Sequence, residues 1–175
     1  MKLKHFLLCV MGILISATTF SAEYYVVPGL RSTGNDGSSW EKAITMYDIF
    51  ENDAAAAKND EVSKYKTGDV FFLSGGTYYN ATSPGADAGR IYRGYVFVGG
   101  CDPSKGAVTE WPAYPSATPT VFSGDLDENG EPSAGDLRNL VHVRQARNDD
   151  AENLAHICRL IGIDFTCSCL LYTSD

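Results

Sequence analysis

An all-β solenoid is the fold class this sequence predicts, and two observations predict it. The first is a repeated cassette. Gly68-Asp69 opens the apolar, β-prone run Val70-Phe71-Phe72-Leu73, and Gly75-Gly76 closes it before Thr77-Tyr78-Tyr79 begins another. Tyr95-Val96-Phe97-Val98 is likewise followed by Gly99-Gly100, and Thr120-Val121-Phe122-Ser123 by Gly124. The second is the interval, since Phe72, Phe97 and Phe122 recur every 25 residues. One strand and one glycine turn per repeat suit a chain that stacks turn upon turn. We therefore expect these phenylalanines in one stacked column.

The first 22 residues read as an export signal. Lys2, Lys4 and His5 supply a basic start, Phe6 to Ile15 an apolar core, and Ser16 to Ala22 small and polar residues. Ten apolar residues are too few to span a bilayer, so no transmembrane segment is expected. Cleavage after Ser21 places Thr19 at the minus-three position, and cleavage after Ala22 places the bulkier Phe20 there. The mature protein is expected to be secreted or held at the cell surface. The tail 169–175, CLLYTSD, can be encoded by the end of a transposon adapter used in DNA library preparation. It is expected to be non-native read-through on a truncated chain, which leaves 23–168 as one domain.

A formal net charge of −8 with no basic run repels phosphate backbones and excludes nucleic acid as a natural partner. Neutral glycans, cations and other proteins remain. Outside the export signal and the tail lie Cys101, Cys158 and Cys167, an odd number without metal-ligand spacing. Cys158 and Cys167 flank an apolar run and read as small buried hydrophobes, although an oxidising compartment permits a disulfide.

In chain order, Glu23 to Val27 is the first strand, ended by Pro28-Gly29. Arg31 to Ser39 is turn chemistry, and Trp40 plugs the loop onto the body; a sugar-stacking Trp is the functional alternative. Thr45 with Asp48 three residues on has the pattern of a capping box, and Met46, Ile49, Phe50, Ala54 and Ala57 form one apolar stripe. This helix is expected to close the exposed front of the stack. Asn80-Ala81-Thr82 matches a glycan acceptor only formally. Asp102 to Pro119, carrying Trp111 and Tyr114, is expected to lie outside the stacked turns. Leu140–Val143 and Leu160–Phe165 are two further strands, about one turn of the stack apart.

The sharpest chemical motif is Asp125-Leu126-Asp127-Glu128-Asn129-Gly130, which fits the first half of a calcium loop. Carboxylate and amide oxygens at alternate positions, with a glycine at the bend, converge on a hard cation. Asp125, Asp127 and Asn129, the backbone carbonyl of Glu131, then Ser133 and Asp136 fall at the ligand positions. The competing reading is a polar turn whose Asp and Asn side chains satisfy their own backbone. No catalytic constellation emerges. His142 and Arg144 share a strand face, but a solvated polar face accounts for them, and His156 precedes Cys158 without a third partner.

The order YYVVPG, GNDGSSW, a capped helix, TGDVFFLSGGTYY, YVFVGG, PTVFSGDLDENG, NLVHV and LIGIDFT resembles the N-terminal region of secreted bacterial pectin-lyase-like proteins. The resemblance covers nearly all of Glu23 to Thr166. It implies a right-handed parallel β-helix with an N-terminal capping helix and first coils, truncated at the C-terminus. It also implies a binding or adhesion role toward glycans, or alternatively a polysaccharide lyase or glycosidase whose active site lies on later coils. A two-sheet β-sandwich is the remaining architecture compatible with strands alternating with turns.

Overall fold

The computed structural model describes residues 21–56, 64–79, 89–126, 128, 140–143 and 158–166. The export-signal residues up to position 20, Asp127, Asn129, Glu131, Ser133, Asp136, Arg144, His156, Cys167 and the tail 169–175 lie outside the described residues. The strands are β1 (Glu23–Val26), β2 (Val70–Ser74), β3 (Gly76–Tyr78), β4 (Arg90–Ile91), β5 (Val96–Cys101), β6 (Thr120–Ser123), β7 (His142–Val143), β8 (Arg159–Ile161) and β9 (Ile163–Thr166). One α-helix among the described residues, α1 (Met46–Ala56), sits between β1 and β2.

Among the described residues every strand pairing is parallel. The first sheet has the order β1-β2-β5-β8, the second β3-β6-β9, and the third pairs β4 with β7. From β2 onward the chain visits first, second and third sheet in turn, then repeats the cycle and begins a third. No closed barrel forms among the described strands, and a sandwich of antiparallel hairpins is ruled out by the parallel ladders.

The phenylalanine column predicted from the interval of 25 does not exist. Phe71, not Phe72, pairs with Phe97, while Phe72 pairs with Val98 on the opposite face of the first sheet. Phe122 belongs to the second sheet, opposite Tyr78 and Phe165. The true columns are Tyr24–Phe71–Phe97, with ring centroids 5.3 and 5.1 Å apart, and Tyr78–Phe122–Phe165, at 5.8 Å each. The interval misled because a one-residue slip in a strand reverses the face every side chain occupies. Leu140–Val143 and Leu160–Phe165 also differ from expectation: β7 lies in the third sheet, and the second run bends at Gly162 (φ 63°) into β8 and β9 of two different sheets.

Both faces of the first sheet are apolar, which is why its strands read as continuous hydrophobic runs rather than alternating ones. The inner face contributes Val26, Phe71, Leu73 and Phe97 to the main core, with Tyr78, Ile91, Phe122, Leu140 and Ile163 from the other sheets. The outer face carries Tyr25, Phe72 and Val98 in a second cluster, covered by Trp40, Ala43 and Val108. Burial of each such ring contributes about 1.5–3 kcal/mol, larger than the about 0.5–1.5 kcal/mol of ring–ring geometry, so burial sets the columns. The 102–119 connection packs on the outside of the stack, where Val108 roofs the outer cluster.

Corners between sheets are made where bulk is excluded. β5 carries one extra residue relative to β2, with Phe72 opposite Val98 but Ser74 opposite Cys101. Gly99 and Gly100 (φ 76°) fill this bulge. Thr120 Oγ1 braces it from within, accepting from the Gly100 N–H at 2.7 Å and donating to the Ser74 carbonyl at 2.9 Å.

Helix α1 begins as expected: Asp48 reaches back to accept from the Thr45 N–H at 2.8 Å. Met46, Ile49 and Phe50 are buried in the main core. The predicted stripe fails at its third turn, because Ala54 is exposed and Asp53 is fully buried in its place; Ala57 lies outside the described residues. Phe50 packs so tightly on the Gly89 backbone, just before β4, that a Cβ there would sit 2.0 Å from its ring.

Candidate functional site

The calcium-loop motif begins where β6 ends. Asp125 is half-buried, and its N–H donates to Ser123 Oγ at 3.2 Å. Glu128 takes a positive φ of 55°. The Tyr79 hydroxyl, beside the end of β3, is pushed above its ordinary pKa by burial and then by the negative charges of Glu128 and Asp125. Among the described residues no three His, Cys, Asp or Glu side chains converge as metal ligands. The other five motif ligands fall outside the described residues.

His142 on β7 sits in register with Arg90 on β4, half-buried, and its Nδ1 is buried without a hydrogen-bond partner. Cys158, just before β8, packs against the main core, and burial pushes its thiol up to about 12. Cys101 is buried in the outer cluster with its thiol pushed up to about 11 for the same reason. Both are free thiols.

Trp40 is the plug its position suggested. Its Nε1–H donates to the Gly106 carbonyl at 2.8 Å, and its ring meets Tyr25 edge-on at 4.7 Å. That contact ties the 37–40 turn to the 102–119 connection across the outer face of the first sheet.

The two most exposed aromatic residues among those described lie instead on the 102–119 connection itself. Trp111 is 52% and Tyr114 65% exposed. Neither ring is presented by a loose loop. Ser116 Oγ and Thr118 Oγ1 both donate to the Gly100 carbonyl, at 2.9 and 3.1 Å. A Cβ on Gly100 would lie 2.5 Å from the Ser116 Cβ and 3.6 Å from that of Pro112. Glycine at this corner lets the connection fold down onto β5 while Trp111 and Tyr114 flank the seated Pro112. The Tyr114 hydroxyl donates to Asp164 Oδ1 at 2.7 Å. Asp164 lies in register with Val121 and Thr77 on the face of the second sheet opposite Tyr78, Phe122 and Phe165. The Tyr114 ring and the Asp164 carboxylate are thus neighbours, with the exposed Trp111 three positions back on the same connection; exposed rings can stack on an apolar ring face and a carboxylate can accept hydrogen bonds from hydroxyls. Sequence gave the two aromatic residues but no sign of Asp164, whose neighbour is 50 positions away.

Asp53 is the functional-looking group that sequence reasoning missed. It is fully buried, accepting from the Tyr95 hydroxyl and from the Tyr92 N–H at 3.0 Å. Burial holds its carboxyl above the ordinary value, against the lowering influence of Tyr95, Tyr92 and Arg93. The signal was present: Asp53 stands four residues after Ile49, on the same helix face. Its contacts dock α1 to the segment between β4 and β5. No described helix is long and apolar enough to cross a membrane. Comparison with protein-family models, with curated proteins and with solved structures finds no match to this chain.

Proposed function

We infer that the chain is the N-terminal part of a secreted or cell-surface right-handed parallel β-helix protein of the pectin-lyase-like kind, with a binding or adhesion role toward glycans. The cyclic visit to three parallel sheets supports the architecture. Right-handedness is what twisted parallel strands joined by crossovers adopt in nearly every case. The basic, apolar and small-residue sequence of the first 22 positions supports export.

The observation that carries the binding role is the anchored connection that keeps Trp111 and Tyr114 in solvent, with Tyr114 hydrogen-bonded to Asp164. An acidic chain disfavours polyuronates, so neutral polysaccharides are the expected ligands. Affinity electrophoresis through gels containing neutral polysaccharides tests this. The protein should be retarded by at least one of them, and Trp111→Ala should abolish retardation without altering the thermal midpoint. Unretarded migration in every gel counts against the reading, and a fall in polysaccharide viscosity favours the lyase or glycosidase alternative.

A further inference from the structure

We propose that Asp69 is the receptor for the α-ammonium group released when the chain is cut between Ser21 and Ala22, so that export processing completes a buried ion pair at the start of β1. The proposal rests on the export reading above. Asp69 is 4% exposed and stands at the end of the Lys66–Asp69 turn, whose Gly68 has φ 92°. The turn is closed by the Asp69 N–H donating to the Lys66 carbonyl at 3.0 Å. One carboxylate oxygen, Oδ2, accepts from the Lys66 N–H at 2.8 Å, which fixes the side chain. The other, Oδ1, accepts from the Ala22 N–H at 2.9 Å, 47 positions away.

That second contact is the informative one. A buried carboxylate is costly unless a cation or several donors face it. Among the described residues Asp69 has two backbone N–H donors of this kind, from Lys66 and Ala22. Parallel pairing with β2 also begins at Ala22, whose carbonyl accepts from the Val70 N–H at 2.9 Å. A cut at Ser21–Ala22 leaves this pairing intact. It turns the Ala22 amide into an ammonium at the same place, with its charge directed at Asp69 Oδ1. The hydrogen bond then becomes charge-assisted at both ends, roughly twice as strong as a neutral one. Cutting one bond later, after Ala22, would remove both contacts. The small residues Thr19 and Ser21 at the minus-three and minus-one positions suit the same bond.

The test is to export the full chain from a bacterial host and measure the mass of the mature product. We expect a first residue of Ala22. A product retaining residues 1–21 overturns both this proposal and the export reading, whereas an exported product cut at any other bond overturns this proposal alone. Stability then follows the charge. Inserting Ser-Gly between Ser21 and Ala22 should raise the unfolding equilibrium constant of the exported protein about tenfold. In the Asp69→Asn background the insertion should change nothing, and an equal effect there overturns the pairing. Should Asp69→Asn fail to accumulate, selective acetylation of the α-amine in the wild-type product decides. A lowered thermal midpoint is expected, and an unchanged one is fatal to the idea.

Discussion

Gly99 faces Gly162 across the junction of β5 and β8 so closely that a Cβ on Gly99 would lie 2.4 Å from the Gly162 carbonyl oxygen. The side chains of Ile163 and Thr120 would also crowd it, at 2.8 and 2.9 Å. The obstacle is backbone, which cannot swing aside. Gly99→Ala should therefore destabilise the protein by about 1–3 kcal/mol, the usual range for overpacking a dense interior. Gly34→Ala is the control: nothing lies within 4 Å, and only its φ of 70° is unfavourable, costing about 1 kcal/mol. Urea unfolding of both variants should rank Gly99→Ala as the more damaged.

Asp53 should make stability depend on pH in the acid range. Its folded-state pKa is raised by burial, so the folded chain binds a proton that the unfolded chain has already released. The associated stability is fully present below the unfolded value, about 3.9, and is lost as pH rises through the folded value. Asp53→Asn keeps an acceptor for the Tyr92 N–H and abolishes this titration. Thermal midpoints measured from pH 3 upward should show the wild type losing stability relative to the variant as pH rises.

Trp40→Phe should keep part of the packing against Tyr25 and lose the hydrogen bond to Gly106, costing about 1 kcal/mol. Trp40→Ala should cost about 2 kcal/mol, more than Trp40→Phe, because the outer face of the first sheet also loses part of its roof. Guanidinium titrations of the two variants separate these contributions.

Cys101 and Cys158 should resist alkylation in the folded protein at pH 8, since burial holds both thiols protonated, with pKa values near 11 and 12. Peptide mapping after iodoacetamide treatment should find both unmodified in buffer and modified in denaturant. Equal labelling in the two conditions contradicts the burial described.

Phe165 is the last described ring of its column. Phe165 is 43% exposed although it stacks edge-on against Phe122. Exposed strand edges and exposed apolar rings promote self-association. Size-exclusion chromatography should show oligomers whose proportion falls in Phe165→Lys, and a wholly monomeric wild-type profile speaks against this.

Local chemistry in the sequence located most of the strands and one helix. Gly68-Asp69 and Gly75-Gly76 bounded β2, and the Thr45–Asp48 pair marked the start of α1. The register between strands was not legible, because Phe71 and Phe72 are the same residue type on opposite faces and an interval counted along the chain does not say which one meets Phe97. The helix stripe failed at Asp53 for a related reason. Alanine at position 54 has little to gain from burial, whereas an acid with two donors waiting can be accommodated inside. As for the candidate site, Trp111 and Tyr114 were visible as residues, but their support by Gly100 and by Asp164 depends on contacts that no local pattern encodes.

Uneven connections between strands in register have a further consequence. Val96 follows its partner Val70 by 26 positions, while Arg159 follows Val96 by 63. Parallel pairing fixes the vertical step from layer to layer at about 4.8 Å, but it places no limit on how far the chain wanders before returning. Such a scaffold accepts inserted segments at its corners while the packed interior stays as it was. New surface features can therefore be acquired by lengthening an excursion, and the excursion bearing Trp111 and Tyr114 sits at one of these permissive positions.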